Sequence, residues 1–474
     1  MLIGPHIHKH RDAIAAGISE LVRIRSVQEP PEPGRPFGAG VDRALQHMLA
    51  LAASLGFEVK DVDGYAGHAE YGTGEELVAV LVHLDTVHEG DGWTYPPFGG
   101  VLEDGRIIGR GASDNKGPAV VALYALLTLK ELGITGRRRL RLIFGTNEES
   151  GMNDLDYYFE REPLPSLAFV PDAGYPIFNV EMGNMNVLLV EEQAPADTWS
   201  SCGPSRLPVI TLQGGNTRTL VPETCTAIVS LEHLDAEQAE RLQREVEAHA
   251  NLGAVSLSGP EGALMLTAGN EPVEGSPTGS RNAVANMVAF LRGLAYATGI
   301  DRLLAFLHER IGAETDGASL GIACRDEVSG GLIVFLRTIT ADGSNRAEAL
   351  CNVRYPVSHD GDGIFASIAR QAAGYGLRAE RTRHLLPVHV PEDHPVIARL
   401  SRAYEAVTGE PATLLRMGAG TYARKLQGRG VAFGAGLPGG VNTNVHQADE
   451  FVRLDDMMRH GEICLQAMYE LMKD

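Results

Sequence analysis

The sequence predicts an α/β fold built on a mostly parallel mixed sheet and carrying an α+β insertion. Three observations say so. Between residues 78 and 190, short apolar runs of strand character at 78–82, 140–144 and 167–170 alternate with helix-like segments, the pattern of parallel strands joined by helical crossovers. The run 119–132 has Pro118 near its first turn and Gly133 just past its end, which marks a helix between two of those strands. After about residue 190 the texture changes to pairs of strand-like runs, each pair followed by helix.

Taken in order, residues 11–25 and 41–56 carry apolar side chains at helical spacing, and the prolines of the segment 29–36 forbid one helix from running through both. Strand-like runs at 208–212 and 225–231 precede helices expected over 236–249 and 282–298. A second set follows, with strands at 331–336 and 348–354 and a helix over 363–375, so the insertion reads as two α+β halves without a detectable internal repeat. A helix to about residue 408 and a Gly-rich tail close the chain. The tail holds His446, so it is expected to return to the first domain. That gives a domain of 1–190 plus 391–474 and an insertion of 191–390.

At 474 residues the chain exceeds what one hydrophobic core usually covers, in keeping with that division. The net charge of −20, from 41 basic and 61 acidic residues, opposes a phosphate backbone, so nucleic acid is not an expected partner. Cysteines 202, 225, 324, 351 and 464 show no Cys-x-x-Cys spacing and read as small core residues in a reducing compartment. Neither a signal-peptide segment nor a run of about 18 apolar residues is found. A cytoplasmic protein without a membrane partner is expected.

The chemistry is concentrated in His83-Leu-Asp85, Asp114-Asn-Lys-Gly117, Glu148-Glu149, Asp172 and His446. Groups at the ends of neighbouring parallel strands converge at one sheet edge. Oxygen and imidazole donors without thiolate suit Zn²⁺, Mn²⁺ or Co²⁺. Two divalent ions roughly 3.5 to 4 Å apart polarise a carbonyl and acidify water, and the pair needs a bridging carboxylate. Asp114, in a turn-like segment fixed by Gly117 and Pro118, is the candidate; His83 and Asp172 would complete one ion, Glu149 and His446 the other. Two adjacent glutamates cannot face one metal from a regular strand, so Glu148 and Glu149 divide into a ligand and a general base. Asp85, two residues past His83, is placed to hold the imidazole by a hydrogen bond. Each element alone is weak, since an Asp before Asn-Lys-Gly is usually a turn and Glu-Glu usually a solvated pair. Their joint occurrence in this order reverses that reading.

These segments, together with Gly90-Asp-Gly-Trp-Thr-Tyr-Pro-Pro-Phe98, Gly109-Arg-Gly-Ala-Ser-Asp114, Thr146-Asn-Glu-Glu-Ser-Gly151, Asn352-Val-Arg-Tyr-Pro356, Gly420-Thr-Tyr-Ala423 and His446-Gln-Ala-Asp-Glu-Phe451, closely resemble the PepV-like zinc dipeptidase family. That family lies within the superfamily of acetylornithine deacetylase, succinyl-diaminopimelate desuccinylase and carboxypeptidase G. The resemblance implies a zinc-peptidase-like catalytic domain with an inserted lid, and two divalent ions, zinc above all. It implies that His83, Asp114 and Asp172 hold one ion, that Asp114, Glu149 and His446 hold the other, and that Glu148 is the base. It further implies a cis peptide at Asp114-Asn115, and a substrate carboxylate received by Arg354 and by the Gly-rich loop at Gly420. The substrate would be a dipeptide or similar N-acyl amino acid, the enzyme a monomer or homodimer.

Two positions depart from the family. The lid histidine and asparagine that bind the oxyanion of such reactions align with Val273 and Thr219, and no histidine lies between His249 and His308. Losing one oxyanion donor typically costs about 10² to 10³ in turnover. The leading expectation is therefore a di-metal amide hydrolase. Beside it stand a specialised N-acyl amino acid deacylase or amidase, and a metal-retaining protein with weak or lost turnover.

Overall fold

The structure is a computed structural model, and the residues it describes are 1–192, 209–215, 221–232, 234–250, 255–258, 263–269, 271–272, 280–294, 298–312, 314–342 and 346–473. Thr219 and Val273 lie outside the described residues, as does Cys202. The chain divides into two units, Met1–Glu181 with Val388–Asp474, and Met182–Pro387.

In the first unit a mixed sheet runs in the order Glu58–Val62, Ala66–Tyr71, Arg138–Gly145, Glu76–His83, Leu167–Val170, Gly430–Ala432, Ile177–Glu181, Val388–His389, with Leu414–Met417 also paired to Ile177–Glu181. Its centre is parallel: Glu76–His83 pairs in parallel with Arg138–Gly145 on one side and Leu167–Val170 on the other. The central strand reads as a continuous apolar run because both faces are covered, and Val78 through Val82 are fully buried. The expected crossover helix spans Gly117–Glu131 and ends where Gly133 takes φ +65. Its residues from Gly117 to Leu129 are buried on every side, which explains why it is apolar all round rather than amphipathic. The C-terminal helix Leu454–Met472 and helix Arg11–Val22 pack on it, so both ends of the chain close over one core.

The main sheet of the second unit is antiparallel, in the order Val255–Ser258, Ala263–Gly269, Thr224–Ser230, Val209–Gly214, Ile333–Ala341, Arg346–Tyr355, Gly183–Glu192, Arg378–Leu385. The two expected halves are thus fused: Leu212 faces Ala341 and Gly214 faces Ile339 across the join. The unit also begins earlier than residue 191, because Gly183–Glu192 pairs with Arg346–Tyr355 and Arg378–Leu385 inside it. The helix expected over 282–298 stops at Gly293, where Leu294 turns extended and Asp301 captures the amide and hydroxyl of Thr298.

Candidate metal centre

Three parallel strands deliver the site to the carboxyl edge of the first unit's sheet. His83 ends one strand, and its register partner Gly145 ends the next, so the chain turns there into Thr146-Asn-Glu-Glu. Asp172 follows the strand Leu167–Val170 by two residues. Gly145 has to be glycine, since a Cβ there would meet the Tyr422 ring and hydroxyl. Tyr422 in turn stands edge-on to the His83 ring, with centroids 6.3 Å apart.

Asp114 lies between the two histidines. Its Oδ1 is 2.9 Å from His83 Nε2 and its Oδ2 is 3.0 Å from His446 Nε2. Asp172 Oδ1 lies 3.7 Å from His83 Nε2 and accepts a hydrogen bond from Asn115 Nδ2 at 3.0 Å. Glu149 Oε1 is 3.1 Å from His446 Nε2. The donor atoms fall into two overlapping groups, each within 4.8 Å: His83, Asp114 and Glu149, and His83, Glu148 and Asp172. Proximity alone therefore does not separate the glutamates. Hydrogen bonding does, because Glu149 is engaged with His446 whereas Oε1 of Glu148 is buried without a hydrogen-bond partner. The Asp114-Asn115 peptide is cis.

Asp85 is bound differently from the expectation. The nearer oxygen to His83 Nδ1 is Asp85's own backbone carbonyl at 3.0 Å, with carboxylate Oδ1 at 3.4 Å. The carboxylate accepts the backbone N–H of Glu148 and of Glu149, each at 3.1 Å. Asp85 thus holds the imidazole through its backbone carbonyl and the turn that carries both glutamates through its carboxylate.

Burial and mutual repulsion act on the cluster together. Burial, then the charge of Asp172, pushes the Glu148 carboxyl well above its ordinary range, and burial followed by Asp114 raises Asp172 to about 6. Burial opposes charge on His446, yet Asp114 and Glu149 raise it to about 11. Desolvated carboxylates this crowded call for cations among them. The donor set is oxygen and imidazole only, so the residues fit divalent zinc, manganese or cobalt.

Several supporting groups carried no signal in the sequence strong enough to assign. Glu450 is fully buried, and its Oε1 accepts the backbone N–H groups of Gly111, Ser113 and Asp114 at 3.1, 2.9 and 3.1 Å, while Oε2 takes Arg110 Nη1 at 2.5 Å. Asp154 accepts the N–H of Thr146 and Asn147 at 2.7 and 3.1 Å and the hydroxyl of Tyr422. Gly420 lies in the same unit, in a loop held by Glu181, which accepts Thr421 Oγ1 at 2.7 Å and pairs with Arg424 at 2.9 Å. Arg354 belongs to the second unit, half-buried on the strand Arg346–Tyr355.

A profile of peptidase family M20/M25/M40 matches residues 79–470. The chain belongs to that family. Among curated proteins, this M20-family chain is 33% identical over 470 residues to the Bacillus subtilis protein named "Putative dipeptidase YtjP", covering 98% of each. It is 32% identical to the Beta-Ala-Xaa dipeptidase of Lactobacillus delbrueckii subsp. lactis, covering 98% of this chain and 97% of that one. Among solved structures, human carnosine dipeptidase 1 matches with a TM-score of 0.60 at 16% identity, covering 99% of this chain and 98% of that one. The dipeptidase Dug1p of Saccharomyces cerevisiae matches with a TM-score of 0.61 at 13% identity, covering 98% and 97%. At such identities these two likenesses establish the fold. Among the described residues, no helix is long and apolar enough to cross a membrane.

Proposed function

We propose that the protein is a metal-dependent hydrolase of dipeptides and similar N-acyl amino acids, working with two divalent ions, zinc first and manganese or cobalt as alternatives. The observation that carries this is Asp114, one carboxylate oxygen on His83 and the other on His446. A bridging carboxylate between two imidazoles is the arrangement a pair of ions requires. His83, Asp114 and Asp172 would hold one ion, and Asp114, Glu149 and His446 the other. Similarity to a Beta-Ala-Xaa dipeptidase across nearly the whole chain supports a dipeptide substrate.

When bound, the ions supply Lewis acidity toward the scissile carbonyl and lower the pKa of water. Glu148 takes the proton: it is buried, its Oε1 is unengaged, and its surroundings raise its basicity. Asp85 keeps that carboxylate aimed by holding the turn, and Glu450 keeps Asp114 aimed by holding the loop before it. Arg354, in the second unit, carries a planar guanidinium suited to a substrate carboxylate. The cysteines described are free thiols, which supports a reducing, cytoplasmic setting.

The residues at 219 and 273 favour a second reading. A threonine and a valine where the family resemblance leads one to expect asparagine and histidine support a narrower deacylase, slow on ordinary dipeptides, or in the extreme a chain that keeps metal without turnover. One experiment addresses all three. Protein reconstituted with Zn²⁺, Mn²⁺ or Co²⁺ is expected to hold about two ions per chain by elemental analysis, and to hydrolyse members of a dipeptide and N-acyl amino acid panel in a chelator-sensitive way. Narrow turnover selects the deacylase, metal without turnover the inactive protein. One ion or none in a folded protein defeats the di-metal reading.

A further inference from the structure

Where the first unit's strand ends at Gly145, the next four backbone N–H groups are all taken by side-chain carboxylates. Thr146 and Asn147 donate to Asp154 Oδ2 at 2.7 and 3.1 Å. Glu148 and Glu149 donate to Asp85 Oδ1 and Oδ2, each at 3.1 Å. Both aspartates are buried, so two carboxylates hold the turn from its two ends and satisfy amides that water does not reach. The turn matters because Glu148 Oε1 is buried without a hydrogen-bond partner. That oxygen is aimed by the backbone that carries it, not by hydrogen bonds of its own. A displacement of about 1 Å at a reacting group can cost on the order of 10² in rate.

Three donors converge on one oxygen of Asp154. Besides the amides of Thr146 and Asn147, Oδ2 accepts the phenolic hydroxyl of Tyr422, 268 residues further along the chain. The Tyr422 ring is fully buried and stands edge-on to His83, and it lies so close to Gly145 that a Cβ there would strike it. His83 and Gly145 are register partners at the ends of neighbouring parallel strands. Tyr422 therefore meets both strand ends from which the site is built, while its hydroxyl fixes the oxygen that holds the first half of the turn. A phenylalanine would fill the same ring space. The buried hydroxyl adds only its bond to Asp154.

We propose that Tyr422 is a positioning residue for the base: acting through Asp154, its hydroxyl sets where the turn holds Glu148, and so governs proton transfer and not the binding of substrate or metal. The assignment rests on the hydrolase reading and deepens it. A tyrosine that served packing alone would show in stability; one that positions the base shows in kcat.

The test uses metal-loaded wild type, Tyr422→Phe, Asp154→Asn and the double variant. For each, kcat and KM on the best dipeptide, ion content, and hydrogen exchange of the segment 146–149 by mass spectrometry are measured. Tyr422→Phe keeps the ring and removes only the hydroxyl. Its kcat is expected to fall by about 10- to 100-fold, with KM and ion content close to wild type and faster exchange in the turn. Removing the hydroxyl should cost little once Asp154→Asn has altered its acceptor, so the two losses should fall short of multiplying. Should Tyr422→Phe fail to fold, Asp154→Asn alone carries the same expectations. Unchanged kcat in folded Tyr422→Phe, a rise in KM in place of the fall in kcat, or losses that multiply in full overturn the positioning role while leaving hydrolysis standing. Lost metal also overturns it, since Tyr422 would then act on His83. Faster exchange confined to the turn, in a protein whose wild type hydrolyses no substrate, upholds the tie through Asp154 and defeats the hydrolase.

Discussion

Glu148 and Glu149 are neighbours in sequence to which the proposal gives different work. The sequence required them to diverge because a regular strand points adjacent side chains apart. In the structure the strand instead ends at Gly145, and both glutamates sit in a turn whose amides are clamped by Asp85. That clamp was not legible, because it joins residues 63 and 64 positions apart through backbone N–H groups that no side-chain pattern reveals. The place of His83 was legible, since an imidazole at the end of an apolar run is conspicuous. Glu148→Gln keeps size and hydrogen bonding but removes basicity, so kcat on the best substrate should drop by about 10² or more. Metal content should stay at the wild-type value. Near-normal turnover would take the proton-acceptor role away from Glu148, and lost metal would make it a ligand instead.

At the scale of elements, the central strands, the crossover helix and its ends could be read from apolar runs, Pro118 and Gly133. The loop that aims Asp114 could not. Its shape is imposed by Glu450, 336 residues away, which gathers three backbone amides on one oxygen and Arg110 on the other. The segment around His446 contained Glu450, yet a glutamate beside an aspartate gives no hint of an internal partner. Arg110 is itself fully buried, stacked 5.3 Å from the Trp93 ring. Glu450→Gln keeps the shape but offers an uncharged amide to that guanidinium and to donors that need an acceptor. Breaking one side of a buried pair costs about 3 to 5 kcal/mol. The larger functional effect should fall on Asp114: metal affinity, read by competition with a chromogenic chelator, is expected to weaken about 10- to 100-fold, as for other partners that orient ligands. Wild-type affinity in a folded variant would show that Glu450 supports the fold and not the site.

For the whole molecule, the change of texture near residue 190 announced a second unit but not its true edge. The sheet decides the edge, because Gly183–Glu192 finds its partners at Arg346–Tyr355 and Arg378–Leu385, pairings that join segments more than 150 residues apart and leave no local trace. The same distance hides two features that govern stability in acid. His68 and His460 are both buried in the first unit, each with Nδ1 2.8 Å from a tyrosine hydroxyl, Tyr158 and Tyr175. Burial, with Arg141 beside it, holds His68 down to about 3, and burial alone holds His460 to about 3, against an ordinary 6.5. The unfolded chain therefore binds protons that the folded one refuses. Their contribution is fully present above pH 6.5 and is lost as the pH falls toward about 3. Between pH 6.5 and about 4, each histidine should cost roughly 3 kcal/mol, at about 1.4 kcal/mol per pH unit. Carboxylates also weaken the fold in acid, so the measurement is a difference: urea unfolding of wild type and of His68→Gln/His460→Gln from pH 7.5 to 4. The variant is expected to start less stable and to lose less, its curve converging on the wild type as the solution is acidified. Parallel curves over that range would mean that neither imidazole resists protonation in the folded protein.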